Sequence, residues 1–129
     1  MIGIPMRLYL AGPMSGVPEH NFPLFHRVAA QLRAQGHEVF NPAENKDGGQ
    51  SKPRAFYMRL DIPALIAAEA VVVLPGWQRS RGASLEVWLA LDLGMPIYQG
   101  LEVDGAIALE PIGGLDLCRL PVWECAGSV

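Results

Sequence analysis

Residues 70–90 read AVVVLPGWQRSRGASLEVWLA, and that stretch narrows the fold more than any other. Val71 to Leu74 continue an unbroken apolar run too short for a buried helix. It is stopped by Pro75-Gly76, which marks a strand buried on both faces. A polar loop carrying Trp77, Arg79, Ser80 and Arg81 follows, and Gly82, Ala83 and Ser84 lead into an amphipathic helix expected over Ser84–Leu93. A strand, a small-residue loop and a helix N-terminus form a corner where free backbone N–H groups converge, a suitable place for an anion. Glu86, expected in the first turn of that helix, puts a carboxylate into the corner. Acids are common there because they complement the helix dipole, and the same dipole is expected to keep Glu86 ionised. Gly82, Ala83 and Ser84 leave open space beside it, which favours a nucleophile over a surface acid.

The rest of the chain alternates in the same way. Met6–Gly12 is an apolar run ended by glycine, a first strand, and Gly12-Pro13-Met14-Ser15-Gly16 makes a tight turn after it. Phe22, Phe25, Val28, Ala29 and Leu32 recur at helical spacing, with Pro23 near the start and Gly36 past the end. His37–Phe40 fits a second strand. Residues 43–52 read as a flexible polar loop. Pro53–Leu60 forms a helical piece, and Pro63 is expected to end it, so that a second piece begins at Asp61 and runs to about Glu69. The third strand is Ala70–Leu74, Met95–Tyr98 is a fourth, and Val103–Leu109 fits a fifth. The last twenty or so residues have no clear pattern, although Ile107–Trp123 is apolar enough for an interface or for packing on its own sheet.

Strands alternating with helices imply parallel βαβ units and a sheet covered on both faces. Ligands then bind beyond the carboxyl ends of the strands, where the strand order reverses. With the first strand between the second and third, the turn after Gly12 and the Gly76–Glu86 loop open onto one crevice. The 129 residues, half of them hydrophobic, suit one domain over 1–129, and a net charge of −3 offers no field for gripping nucleic acid. Two cysteines, Cys118 and Cys125, make no disulfide framework and point to a reducing, cytoplasmic setting. No signal peptide is read at the N-terminus, and no apolar run approaches the ~20 residues of a membrane span.

Several residues carry a plain reading beside a functional one. Asp61 is a natural N-cap ahead of Pro63. Tyr9 is an aromatic core residue whose hydroxyl needs a buried partner, for which a pocket carboxylate serves. Ser80, Arg79 and Arg81 are suitable phosphate donors, and Trp77 either stacks on a base or covers the loop. His20, His26 and His37 lack metal-ligand spacing and read as surface residues. The glycines after the first strand match neither the dinucleotide fingerprint nor the phosphate loop.

Tyr9-Leu10-Ala11-Gly12, Asp61, Pro75-Gly76-Trp77 and Ser80–Glu86 occur in an order that resembles the nucleoside 2-deoxyribosyltransferase family. The likeness includes the family's deoxynucleoside 5′-monophosphate N-glycosidases, and the Ala-Gly-Pro-Met turn resembles a short subgroup of it. The likeness covers roughly residues 6–99. It implies an α/β, flavodoxin/Rossmann-like three-layer sandwich with a mainly parallel sheet ordered 2-1-3-4-5. It further implies that Glu86 attacks C1′, that Tyr9 positions the carboxylate and that Asp61 assists the leaving base or holds the sugar. Ser80 and Gly82 would contact a 5′-phosphate, with Gly12, Pro13, Met14 and Ser15 lining the same pocket. Pro13 stands where the monophosphate branch tends to have serine, with Ser15, Arg79 or Arg81 as replacements.

The activity implied is cleavage or transfer of an N-glycosidic bond on a 2′-deoxynucleoside or its 5′-monophosphate. No metal or organic cofactor is called for. The partner is a small nucleoside or nucleotide, not nucleic acid or membrane, and a homo-oligomer is implied. The competing readings are a nucleotide-binding sensor without turnover and a nicotinamide dinucleotide glycohydrolase.

Overall fold

The computed structural model describes residues 4–45 and 52–114. Cys118, Cys125 and the stretch beyond residue 114, together with residues 46–51 of the expected loop, lie outside the described residues. Five strands form one sheet in the order β2-β1-β3-β4-β5. They are β1 (Arg7–Ala11), β2 (Glu38–Phe40), β3 (Ala70–Val73), β4 (Ile97–Val103) and β5 (Ala106–Pro111). The helices are α1 (Phe22–Ala34), α2 (Arg54–Ala67) and α3 (Arg81–Asp92). β1 pairs in parallel with β2 and β3, β3 pairs in parallel with β4, and β5 returns antiparallel along β4.

Side-chain alternation along β1 feeds two cores. Leu8 and Leu10 pack with Phe25, Val28 and Leu32 of α1, while Tyr9 and Ala11 pack with Leu65 of α2 and Val87 of α3. β3 does the same with Val72 on one side and Val71 and Val73 on the other. Each fully buried Leu or Val contributes about 1.5–3 kcal/mol, so neither helical layer is dispensable. Gly12 follows β1 because a Cβ there would lie 2.8 Å from Leu74 Cβ. Its absence lets the end of β1 run close beside the chain leaving β3.

Four expectations about elements are corrected. α2 is one continuous helix through Pro63. Pro63 and Arg59, whose carbonyl loses its partner to the proline, are both exposed, so the lost bond is not stranded in the core. Asp61 is therefore interior to a helix and caps nothing. α3 starts at Arg81, three residues earlier than expected, because Ser80 is its N-cap and accepts from the Ala83 N–H at 3.1 Å. Val103–Leu109 is not one strand. Asp104 and Gly105, with φ of 52° and 81°, turn the chain between β4 and β5, and this Asp-Gly pair is a hairpin signal.

Candidate active site

β1 and β3 are the strands on either side of the switch in strand order, and a cavity of about 420 Å3 opens beyond their carboxyl ends. Glu86 lies in the second turn of α3, on the helix face turned to the sheet, and is buried. β1 presents Tyr9 to the same side, and its hydroxyl donates a hydrogen bond to Glu86 Oε2. The Tyr9 ring is fully buried and stacks on Phe40, centroids 5.4 Å apart. Asp61 comes from α2, also buried, and its Oδ1 accepts from Asn45 Nδ2 at 3.4 Å. Glu86 and Asp61 both line the cavity.

Burial dominates the electrostatics. Loss of water pushes Glu86 up to about 8; the Tyr9 hydrogen bond and the Arg54 charge oppose the rise, and Asp61 adds to it. Asp61 is raised to about 6, again by burial, against the Asn45 hydrogen bond. Tyr9 is held well above its ordinary value, first by burial and then by the two acids. Burial thus favours the neutral form of both acids, and at neutral pH they titrate as a coupled pair that holds one proton between them. This corrects the expectation that the helix dipole keeps Glu86 ionised. With α3 starting at Arg81, no acid occupies the first turn, and desolvation outweighs a dipole that fades within that turn.

Of the other anticipated residues, Gly12, Met14, Ser15, Ser80 and Gly82 line the cavity. A Cβ at Gly82 would meet nothing within 4 Å, so that glycine faces open space. Pro13, Trp77, Arg79 and Arg81 do not line it. Trp77 is a correction: it is 4% exposed and packed in the core with Val73 and Ala83, where no base can reach its face. Arg79 lies over Gly76 beside Pro13, and Arg81 is exposed at the start of α3. The cations that do line the cavity are Lys52 and Arg54, from the segment read as loop and helix start. The Tyr57 hydroxyl fastens this segment by accepting the Lys52 N–H at 2.8 Å. No spacing rule would have singled them out, since the turn into α2 brings them to the crevice. His20, exposed as expected, also lines the cavity, whereas His37 is buried with Nδ1 accepting from the Met6 N–H and so is not a surface residue. Among the described residues no group of three His, Cys, Asp or Glu could hold a metal. No helix among them is long and apolar enough to cross a membrane.

The family model matching residues 6–99 is a domain of unknown function, DUF4406. The chain belongs to that family. The fold of this DUF4406 member is shared with a solved 2-deoxyribosyltransferase from the psychrotolerant bacterium Bacillus psychrosaccharolyticus. The two superpose with a TM-score of 0.57 at 23% identity, over 72% of this chain and 70% of that one. A curated relative, centractin of Schizosaccharomyces pombe, is 38% identical over 63 residues. That match takes in 48% of this chain and spans 17% of centractin's length.

Proposed function

We propose that the cavity binds a 2′-deoxynucleoside or its 5′-monophosphate and breaks the N-glycosidic bond, with Glu86 as nucleophile. The observation that carries this reading is the buried Glu86 carboxyl, held by the Tyr9 hydroxyl, on the same cavity wall as a second acid. Glu86 oxygen bonds to C1′ while the C1′–N bond breaks and its electron pair leaves with the base. In the reacting form the one proton shared by the two acids is on Asp61, which leaves Glu86 ionised for the attack, and Asp61 hands that proton to the departing base. Water, or a second base, then attacks C1′ and frees the carboxylate.

The raised pKa of Glu86 is consistent with this chemistry. A desolvated carboxylate is unfavourable in the empty cavity and favourable once positive charge develops at C1′, so the site binds the transition state better than the ground state. The single proton held by the two acids is the one the leaving base needs. Arg54 favours the ionised form of Glu86, and Lys52 with Arg54 provides the cations for a 5′-phosphate in place of Arg79 and Arg81.

Purified protein incubated with the deoxynucleosides and their 5′-monophosphates releases free base, read by chromatography. Release that persists in Glu86→Ala rejects the role given to Glu86. The rival reading, a nucleotide sensor without turnover, draws on the same protonated Glu86. Tight calorimetric binding with no base released over long incubation would favour it.

A further inference from the structure

We propose that the His20–Phe22 ring pair, held at the cavity by the left-handed turn before α1, is the platform on which the substrate's heterocycle stacks. This rests on the nucleoside reading above and adds where the base lies. Glu19, His20 and Asn21 have φ of 54°, 54° and 62°. Asn and His tolerate that conformation singly, but three such residues in succession without glycine are strained, and strain of this kind persists where the surroundings impose it. The surroundings here are a lattice of bonds to the turn after β1. Asn21 Nδ2 donates to Pro13 O at 2.9 Å, the His20 N–H to Val17 O at 2.9 Å, and the Val17 N–H to Met14 O at 3.2 Å.

The strained turn has a definite consequence for the rings. Were α1 simply extended backwards, residues 20 and 22 would project to different sides, because positions two apart on a helix do not face each other. The left-handed turn instead brings both rings to the cavity, centroids 5.6 Å apart and planes 37° from parallel. These rings stand on the α1 side of the sheet, whereas Glu86 and Asp61 come from the helices on the other side. A sugar with C1′ at Glu86 sends its base across the cavity toward them. Flat heterocycles of any sequence stack on such side chains, and the imidazole adds a polar edge.

Two variants test this without depending on turnover. His20→Asn removes the ring but keeps a residue that accepts the left-handed conformation, and Phe22→Leu removes the ring but keeps apolar bulk in α1. Calorimetry of wild type and both variants with free adenine, and with thymine as the one-ring probe, reads the platform directly. Each variant is expected to bind a base about tenfold more weakly, the loss of one stacking partner. In steady-state assays each raises KM with kcat unchanged, the signature of lost uniform binding. Equal affinity in wild type and both variants overturns the platform, as does a wild type that binds neither base, whether or not it turns nucleosides over. A wild type that binds base through these rings but releases none from any deoxynucleoside keeps the platform and removes the glycosidic reading.

Discussion

The two faces of the sheet are built from the same strands and put to different ends. Under α1 the core cluster is apolar, with Leu8, Leu10, Val72, Phe25, Val28 and Leu32. The buried polar residues nearby, His37 and Asn41, are hydrogen-bonded, and among the described residues no acid is buried there. Under α2 and α3 the same alternation buries Val71, Val73, Leu65 and Val87, but it also buries Tyr9 against Glu86, with Asp61 close by. Burial stabilises the first face directly. On the second it strips water from two acids, which is unfavourable for their charged forms and leaves them sharing a proton at neutral pH. A candidate site can thus be recognised where a layer of ordinary packing includes groups that packing alone would exclude.

Glu86→Gln should lower base release on the order of a thousandfold or more while the chain stays folded, because an activated nucleophile acts only in the transition state. Leu32→Ala, deep under α1, should do the reverse. It should reduce unfolding free energy by about 2–5 kcal/mol in a denaturant titration and alter activity only as far as folded protein is lost.

Titration of stability sharpens the contrast. The folded Glu86 keeps its proton up to about pH 8, far above the ordinary 4.5, so its contribution is full below pH 4.5 and declines as pH rises to 8. Asp61 adds a similar decline between its ordinary 3.8 and about 6. Glu86→Gln should therefore be more stable than wild type at pH 8 by on the order of a few kcal/mol, and the advantage should vanish near pH 4. An equal difference at both pH values would refute the raised Glu86.

Tyr9→Phe removes the hydrogen bond that favours ionised Glu86. The rise of kcat/KM with pH should move to higher pH, with about a tenfold loss at pH 7, the equivalent of one pKa unit. The smallest effect is expected at Gly82. Ala there should stabilise α3 by about 0.5–1 kcal/mol, yet raise KM, since its methyl would occupy open cavity. Gain in thermal stability together with loss of affinity would mark Gly82 as a position kept bare for a ligand.

Much of this arrangement was legible before any coordinates. The apolar run at Val71–Leu74 and the glycine-ended run before it implied parallel strands, and the order 2-1-3-4-5, which the family resemblance implied, is the order found. The order of Tyr9, Asp61 and Glu86 along the chain was enough to nominate them together. Other features needed the folded chain. Trp77 looked like a loop aromatic and is core, because the short turn at Trp77–Arg79 folds it under α3. Arg79 and Arg81 looked like the phosphate donors, whereas Lys52 and Arg54 are the cations at the cavity.

Periodicity and turn chemistry are local, so the sequence by itself determined which segments are strands and helices and which face of each is apolar. The survival of α2 through Pro63 and the strained turn at Glu19–Asn21 depend on what lies against those segments. Above all, the protonation of Glu86 was decided by tertiary structure alone. A carboxyl's affinity for its proton is set by how much water and which charges surround it, and at Glu86 those surroundings are contributed by β1 and α2, far away along the chain.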